Sequence, residues 1–313
     1  MATVVSFINY KGGVGKTTTA YHVSCSLAQH HRQRVLMIDI DPQTNLTFLC
    51  AEVEQWQHRK RTMGTIVNLY RRFTEGIPLE VKRYTWKDAV TIGRYPISGL
   101  DMIPCDIDLL GEDLGETRFG GEFTSIQALR ENAQQYMRER LFLSKVIEEV
   151  EDMYDWVVID CPPNLYLMTQ NALHASDYYV VTAIPDHLST IGLSTLNRKI
   201  DEIGRRIAKA QPYAGANSGR AVGKLGAIVF VKVRIGGSMI TNTHYNTITS
   251  ITNEYSENKV VSRHTTELIG YSEAAQNLVP VWEHQSKNAR LAARKNEYPE
   301  ITRELIGMLG PSP

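Results

Sequence analysis

The chain has 313 residues, 42% of them hydrophobic and 22% charged, with Lys+Arg and Asp+Glu balanced at 34 each. That length can bury a sizeable core as one large domain or two small ones, and the neutral balance excludes a uniformly basic or acidic protein whose partner follows from charge alone. The four cysteines are scattered, with no CxxC pair and no histidine at metal spacing, and there is no leader-like segment or run of about 18 apolar residues, so the chain reads as a soluble intracellular protein with reduced thiols.

Thr3-Val-Val-Ser-Phe-Ile8 is a β-branched and aromatic run that reads as a buried strand. A glycine-rich loop follows at once, and Thr17 to His31 reads as a helix with Ala20, Val23, Leu27 and Ala28 on one face. Arg34-Val-Leu-Met-Ile-Asp39 is a second short apolar strand. Similar strands recur at Leu100–Ile103, Trp156–Asp160, Tyr178–Ile184 and Leu225–Val231, with helices predicted over Arg138–Met153 and Leu188–Lys209. Strands that are apolar throughout and alternate with helices imply an α/β fold, a mainly parallel sheet covered on both faces. One domain over residues 1–313 is expected, with insertions at 52–97 and 211–224.

The loop reads Lys11-Gly12-Gly13-Val14-Gly15-Lys16-Thr17-Thr18. A strand, a glycine-rich turn and a helix N-terminus bind phosphate because glycines let the backbone approach while free N–H groups and the helix dipole face the anion. Lys16 is positioned to reach the β/γ-phosphates of ATP, and Thr17 to give its hydroxyl to Mg²⁺. The usual GxxxxGK[ST] pattern fails at its first glycine, where Tyr10 stands, and Lys11 adds a second lysine ahead of the glycines. Three aspartates sit at or just beyond strand ends: Asp39, Asp41 and Asp160. In an open α/β sheet ligands bind beyond the carboxyl ends of the strands, which places these carboxylates on the loop's side. There one can hold Mg²⁺ through water and another can orient the attacking water.

These motifs carry a resemblance. Lys11–Thr18, Asp39-Ile-Asp-Pro-Gln43 and Val158-Ile-Asp-Cys-Pro-Pro163, with weaker echoes at Gly99–Pro104, Asn171–Leu173 and Ser272-Glu-Ala274 before Pro280, resemble the ParA/MinD group of deviant Walker A P-loop ATPases, and within it the ParA partition ATPases. The resemblance implies a homodimer with ATP sandwiched between subunits, Lys11 reaching the partner's phosphates, Asp39 and Asp160 holding the metal's water shell, and Asp41 as the switch residue that activates water. It also implies non-specific DNA binding, nucleoid association in the cytoplasm, and a ParB-like or cargo-bound partner that stimulates hydrolysis. Departures are Cys161 after the Walker B aspartate, and Thr265-Thr266-Glu267 where the family often has Ile-Pro-Arg near the adenine.

Basic residues Arg198, Lys199, Arg205, Arg206 and Lys209 lie on the helix after Leu188, and Lys287, Arg290, Arg294 and Lys295 near the C-terminus. Such clusters neutralise phosphates, and equally serve as solvated helix faces balanced by Asp201 and Glu202. The chain begins at its first strand, so no helix-turn-helix ahead of the loop is expected. A MinD-like membrane ATPase needs a basic amphipathic C-terminal helix, whereas residues 300–313 carry two acids and one arginine, with Ile301, Leu305, Ile306 and Met308 expected to pack inward. An iron-protein-type reductase lacks its paired cysteines, and an ATP-binding dimer switch with negligible turnover is the remaining alternative.

Overall fold

The computed structural model describes residues 1–112, 116–215, 221–236, 239–285, 292 and 294–310, with backbone alone at 187–190. Six strands form one parallel sheet: β1 (Thr3–Ile8), β2 (Val35–Asp39), β5 (Leu100–Ile103), β6 (Trp156–Asp160), β7 (Tyr178–Ala183) and β8 (Lys224–Phe230). Their spatial order is β5-β2-β6-β1-β7-β8, every neighbouring pair parallel. Each central strand is buried along its length because helices cover both faces.

Alternate residues supply the two faces. Val4, Ile8, Leu36, Ile38, Val157 and Ile159 face the layer of α4 (Ile66–Glu75), α6 (Phe142–Glu148), α7 (Leu167–Ala175) and α8 (His187–Ala214). Val5, Phe7, Met37 and Val158 face α1 (Lys16–His31), α2 (Asn45–Cys50) and α11 (Glu297–Leu309). Helix α1 is buried from Thr19 through Ala28 because α11 covers its outer side, with Ile301 and Leu305 buried and Ile306 and Met308 packed against the same core. The four cysteines are buried and unbridged. No described helix is long and apolar enough to cross a membrane.

The segment 52–97 folds into α3 (Val53–Met63), α4 and the hairpin β3 (Thr91–Ile92)–β4 (Tyr95–Pro96). Thr65 begins α4 with a capping box, its side chain accepting from Val67 N–H while Asn68 Oδ1 accepts from Thr65 N–H. The basic cluster His58–Arg61 is partly engaged internally: the Arg59 guanidinium lies 5.0 Å over the Trp86 ring, and Lys60 pairs with Asp108 at 2.8 Å and Asp106 at 3.4 Å.

Two helix boundaries differ from the sequence expectation. Arg138–Met153 is broken, since α5 (Ile126–Glu139) ends where Arg140 turns inward. Arg140 is fully buried and donates from Nε to Gln170 Oε1 (3.0 Å), from Nη1 to Tyr136 O (2.9 Å) and from Nη2 to Glu116 Oε1 (2.9 Å). A buried guanidinium needs this full set of acceptors, and satisfying it outranks continuing the helix. Helix α8 runs past Lys209 to Ala214 with Pro212 inside it, so the start of the expected 211–224 insertion is helical, and 216–220 lie outside the described residues. Further described elements are β9 (Ile235–Gly236), β10 (Met239–Ile240), α9 (Asn242–Tyr255) and α10 (Gly270–Gln276).

Candidate nucleotide site

The parallel register brings the three strand ends together. Phe7 of β1 stands opposite Asp160 of β6, and Asp160 stands opposite Asp39 of β2. The loop that leaves β1 therefore passes beside both aspartates. It is fixed at its start by Asn9, which donates from Nδ2 to Thr182 O (2.7 Å) and accepts the Lys11 N–H at Oδ1 (3.0 Å). Gly13 and Gly15 take φ of +75° and +73°, the left-handed region that glycine enters without steric cost. A Cβ at Gly12 or Gly13 would meet nothing within 4 Å, so these residues border open space of the kind a phosphate fills. Gly15 is the N-cap of α1, no side chain caps it, and no acidic residue lies in the first turn. The leading amides of a long helix thus carry no side-chain cap, an arrangement that can receive an anion.

Lys16 and Asp41 are buried, and Asp39 and Asp160 fully so. Asp39 is held on both oxygens: Oδ2 accepts from the Thr47 amide (2.9 Å) and hydroxyl (2.7 Å), and Oδ1 from the Asp41 amide (3.1 Å). Burial nevertheless pushes its carboxyl up to about 7, with the Asp41 charge adding to the effect. Asp41 Oδ1 accepts the Gln43 amide (3.0 Å). Asp160 differs from both: its near donor is the Thr17 hydroxyl, and neither carboxylate oxygen accepts a hydrogen bond of ordinary geometry. Burial first, and then the Asp39 charge, raise its carboxyl well above the ordinary range, although the Thr17 hydroxyl and the Lys16 ammonium stand near enough to pull the other way.

An orphaned buried carboxylate beside a threonine hydroxyl, at the mouth of a phosphate cradle, fits a divalent cation. Among the described residues no three His, Cys, Asp or Glu side chains are grouped to hold a metal outright. Thr17, Asp39 and Asp160 are the residues present that would hold such an ion, phosphate oxygens and water completing its shell as Mg²⁺ prefers.

Other expected residues are placed as follows. Lys11 lies 3.5 Å from Asp186 within its own chain. Arg198, Arg205, Arg206 and Lys209 are exposed on α8, whose other side packs on α5 through Ile203 and Ile207. Lys199 is exposed but paired with Glu202 at 2.9 Å. Arg294 is half-buried and paired with Glu297 at 3.3 Å, whereas Lys287 and Arg290 lie outside the described residues.

Beside Gly15 and Thr18 opens a cavity of about 440 Å³ lined by Lys232, Thr265, Thr266, Glu267, Tyr271 and Ser272 among others. The sequence does not reveal this wall. Glu297 of α11 builds it, accepting the Thr266 amide and hydroxyl (both 2.9 Å) and the Tyr271 hydroxyl (2.6 Å). Thr265-Thr266-Glu267 thus stands next to the phosphate loop in space, although other residues replace the motif the family often shows there.

Fold and site together define the class: a P-loop nucleotide-binding protein with an open parallel sheet. The family model described as an AAA domain matches residues 2–211. The virulence plasmid ParA family protein pGP5-D of Chlamydia psittaci is 30% identical over 203 residues, 65% of each chain. The sporulation initiation inhibitor protein Soj of Bacillus subtilis is 32% identical over 63% of this chain and 64% of its own. The chain thus spans less than two thirds of the length of these curated relatives. Among solved structures, apo McdA of Cyanothece superposes with a TM-score of 0.69 at 17% identity, covering 98% of this chain and 100% of McdA, and an ATP complex of a McdA variant gives 0.66. The chain belongs to the ParA/MinD family of deviant Walker A ATPases and is of its ParA type.

Proposed function

We propose that the protein binds Mg–ATP at the Lys11–Thr18 loop, dimerises around two nucleotides, and couples partner-stimulated hydrolysis to the positioning of a plasmid or chromosomal DNA cargo on non-specific DNA. The observation that carries the nucleotide part is Asp160, an unsatisfied buried carboxylate at an uncapped helix N-terminus. In this reading the amides of residues 12–18 hold the phosphates, Lys16 holds the β/γ oxygens, and the base lies in the Tyr271-lined cavity. Thr17 through its hydroxyl, and Asp39 and Asp160 through water, would hold a Mg²⁺ ion, which would supply charge neutralisation at the phosphates. Asp41 orients the attacking water, its Oδ1 fixed by the Gln43 amide. Residues 1–313 act as one ATPase unit with elaborations at 52–97 and 211–224.

Self-association draws support from the edge on which the site opens. Large apolar side chains stand exposed after the carboxyl end of strand after strand: Tyr10, Leu110, Tyr166, Ile191 and Met239. A second copy over this edge would cover them and bring the partner's Lys11 to the phosphates, where an added cation stabilises the charge of the transferring group.

The DNA-positioning part draws on the relatives' names and on the exposed basic face of α8. It predicts a cytoplasmic, nucleoid-bound protein in which Arg198→Glu with Arg205→Glu lowers affinity for random duplex DNA about ten-fold or more and flattens its salt dependence. ATP affinity should not change. Steady-state ATPase assays with and without DNA and a cargo partner test the whole reading. Turnover near zero under every condition removes the enzyme reading and leaves an ATP-gated dimer switch.

A further inference from the structure

Lys232, just beyond the end of β8, has a backbone that suits glycine better than lysine. The chain on either side is anchored, Val231 N–H donating to Ala183 O (2.9 Å) and Val233 N–H to Thr265 O (2.8 Å). Between these anchors Lys232 takes φ +53°, where Cβ crowds the following carbonyl of an L residue. Its own amide donates to Thr265 Oγ1 at 3.3 Å. The side chain then crosses to the phosphate loop, where Nζ donates to Gly13 O at 2.8 Å.

That contact has a geometric consequence for the loop. A trans peptide points its C=O and its N–H in opposite directions. A cation that holds the Gly13 carbonyl on one side therefore turns the Val14 N–H to the other, away from Lys232. Gly13, with φ +75° and no Cβ, presents the least barrier to reorientation of this peptide. The same end of β8 supports the loop a second way, since a Cβ on Gly15 would come within 3.2 Å of Val231 Cγ2.

We propose that Lys232 is a positioning residue of the nucleotide site. It locks the Gly13–Val14 peptide so that the Val14 amide is presented to phosphate, and it adds a third positive charge to the cradle beside Lys11 and Lys16. This rests on the nucleotide reading above and is tested so that the two can fail separately.

Mg–ATP binding is measured by calorimetry on the wild type and on Lys232→Gly, Lys232→Met and Lys232→Arg, with Lys16→Ala as the control. Loss of the charge-assisted hydrogen bond weakens the Gly and Met variants about ten- to a hundred-fold. Arginine, which keeps a cation over the carbonyl, restores most of the affinity. Lys232→Gly also melts at or above the wild-type temperature, because its φ suits glycine, and its Val14 amide exchanges faster with solvent. Weaker binding with undiminished stability is a combination that a merely structural lysine does not produce. If Lys232→Gly binds Mg–ATP as tightly as the wild type while Lys16→Ala does not bind, this inference alone is overturned. If the wild type itself does not bind Mg–ATP, the nucleotide reading falls first.

Discussion

Helix α1 passes through two environments that treat buried ionisable groups in opposite ways. Halfway along it, His22 is fully satisfied. Its Nδ1 is 2.7 Å from Thr18 O, its Nε2 accepts the Val281 amide at 3.1 Å, and its ring stacks on Tyr298 with centroids 4.5 Å apart. Because Nε2 accepts, Nδ1 carries the proton, and the ring is a neutral bridge between α1, the 281 segment and α11. At the helix's first turn stands Asp160, equally buried, with the Thr17 hydroxyl nearby but no hydrogen bond of ordinary geometry on either oxygen. Among the described buried polar atoms that lack a partner, its oxygens are the only ones from a carboxyl group. The same helix thus has its polar groups satisfied at its middle, while at its end a buried carboxyl stands short of acceptable partners, the feature on which the proposed nucleotide site rests.

The largest effect is expected at the loop. Lys16→Ala removes the one buried lysine of the site and is expected to abolish ATP binding, a loss of about a thousand-fold or more. Folding should persist, since calorimetry without nucleotide and circular dichroism read the His22 side of α1, which this change does not touch. Tight ATP binding by the variant would end the assignment of the loop. Asp41→Ala comes next: the nucleotide stays bound while turnover falls about a hundred-fold or more, trapping the dimer in ATP. Phosphate release measured beside sedimentation separates the two effects, and wild-type turnover would remove Asp41 from the mechanism.

How much of this is readable from the sequence depends on contact range. The phosphate loop lies within eight consecutive residues, and the six sheet strands are short apolar runs whose ends the sequence places to within a residue or so. Asp39 and Asp160 declare themselves because each closes such a run. The cavity wall does not. Lys232 meets Gly13 across 219 positions and Glu297 meets Thr266 across 31, and neither contact leaves a local pattern. Arg140 is the opposite failure: helical periodicity runs through it, and only a buried acceptor set supplied by Gln170, Tyr136 and Glu116 explains the break. In segment 52–97 the helix α4 buries Ile66, Val67, Leu69 and Tyr70, but its ten residues between Gly64 and Gly76 give periodicity too little length to show.

His22 makes the stability of the middle of α1 depend on pH. Burial lowers its imidazole from the usual 6.5 to about 4. The unfolded chain therefore binds a proton before the folded one does, and the His22 contribution is fully present above pH 6.5 and is lost as pH falls toward 4. The whole change is about 3 kcal/mol. Asp39, pushed up to about 7, acts in the reverse sense over an overlapping window, since its contribution is lost as pH rises. The decisive quantity is hence a difference: urea midpoints of the wild type and of His22→Gln, followed from pH 7 to pH 4. The gap between them should narrow on acidification, and a constant gap would show that His22 does not titrate against folding.

Asp160→Asn tests the other half, with the smallest expected shift. Without nucleotide, replacing an ionisable group that burial disfavours with a neutral one should stabilise the fold by about 1 kcal/mol, a rise of a few degrees at most. The gain is modest because the asparagine amide still finds no partner there. Saturating Mg–ATP reverses the order. Ligand binding stabilises the folded state by RT ln(1 + [L]/Kd), and the variant, lacking the charge that holds the ion's water, binds more weakly and gains less. The two melting curves should therefore cross between the free and the liganded protein. A variant that melts below the wild type in both states would make Asp160 a structural residue. A variant that melts above it in both would leave the unpaired carboxylate without the ligand that its burial implies.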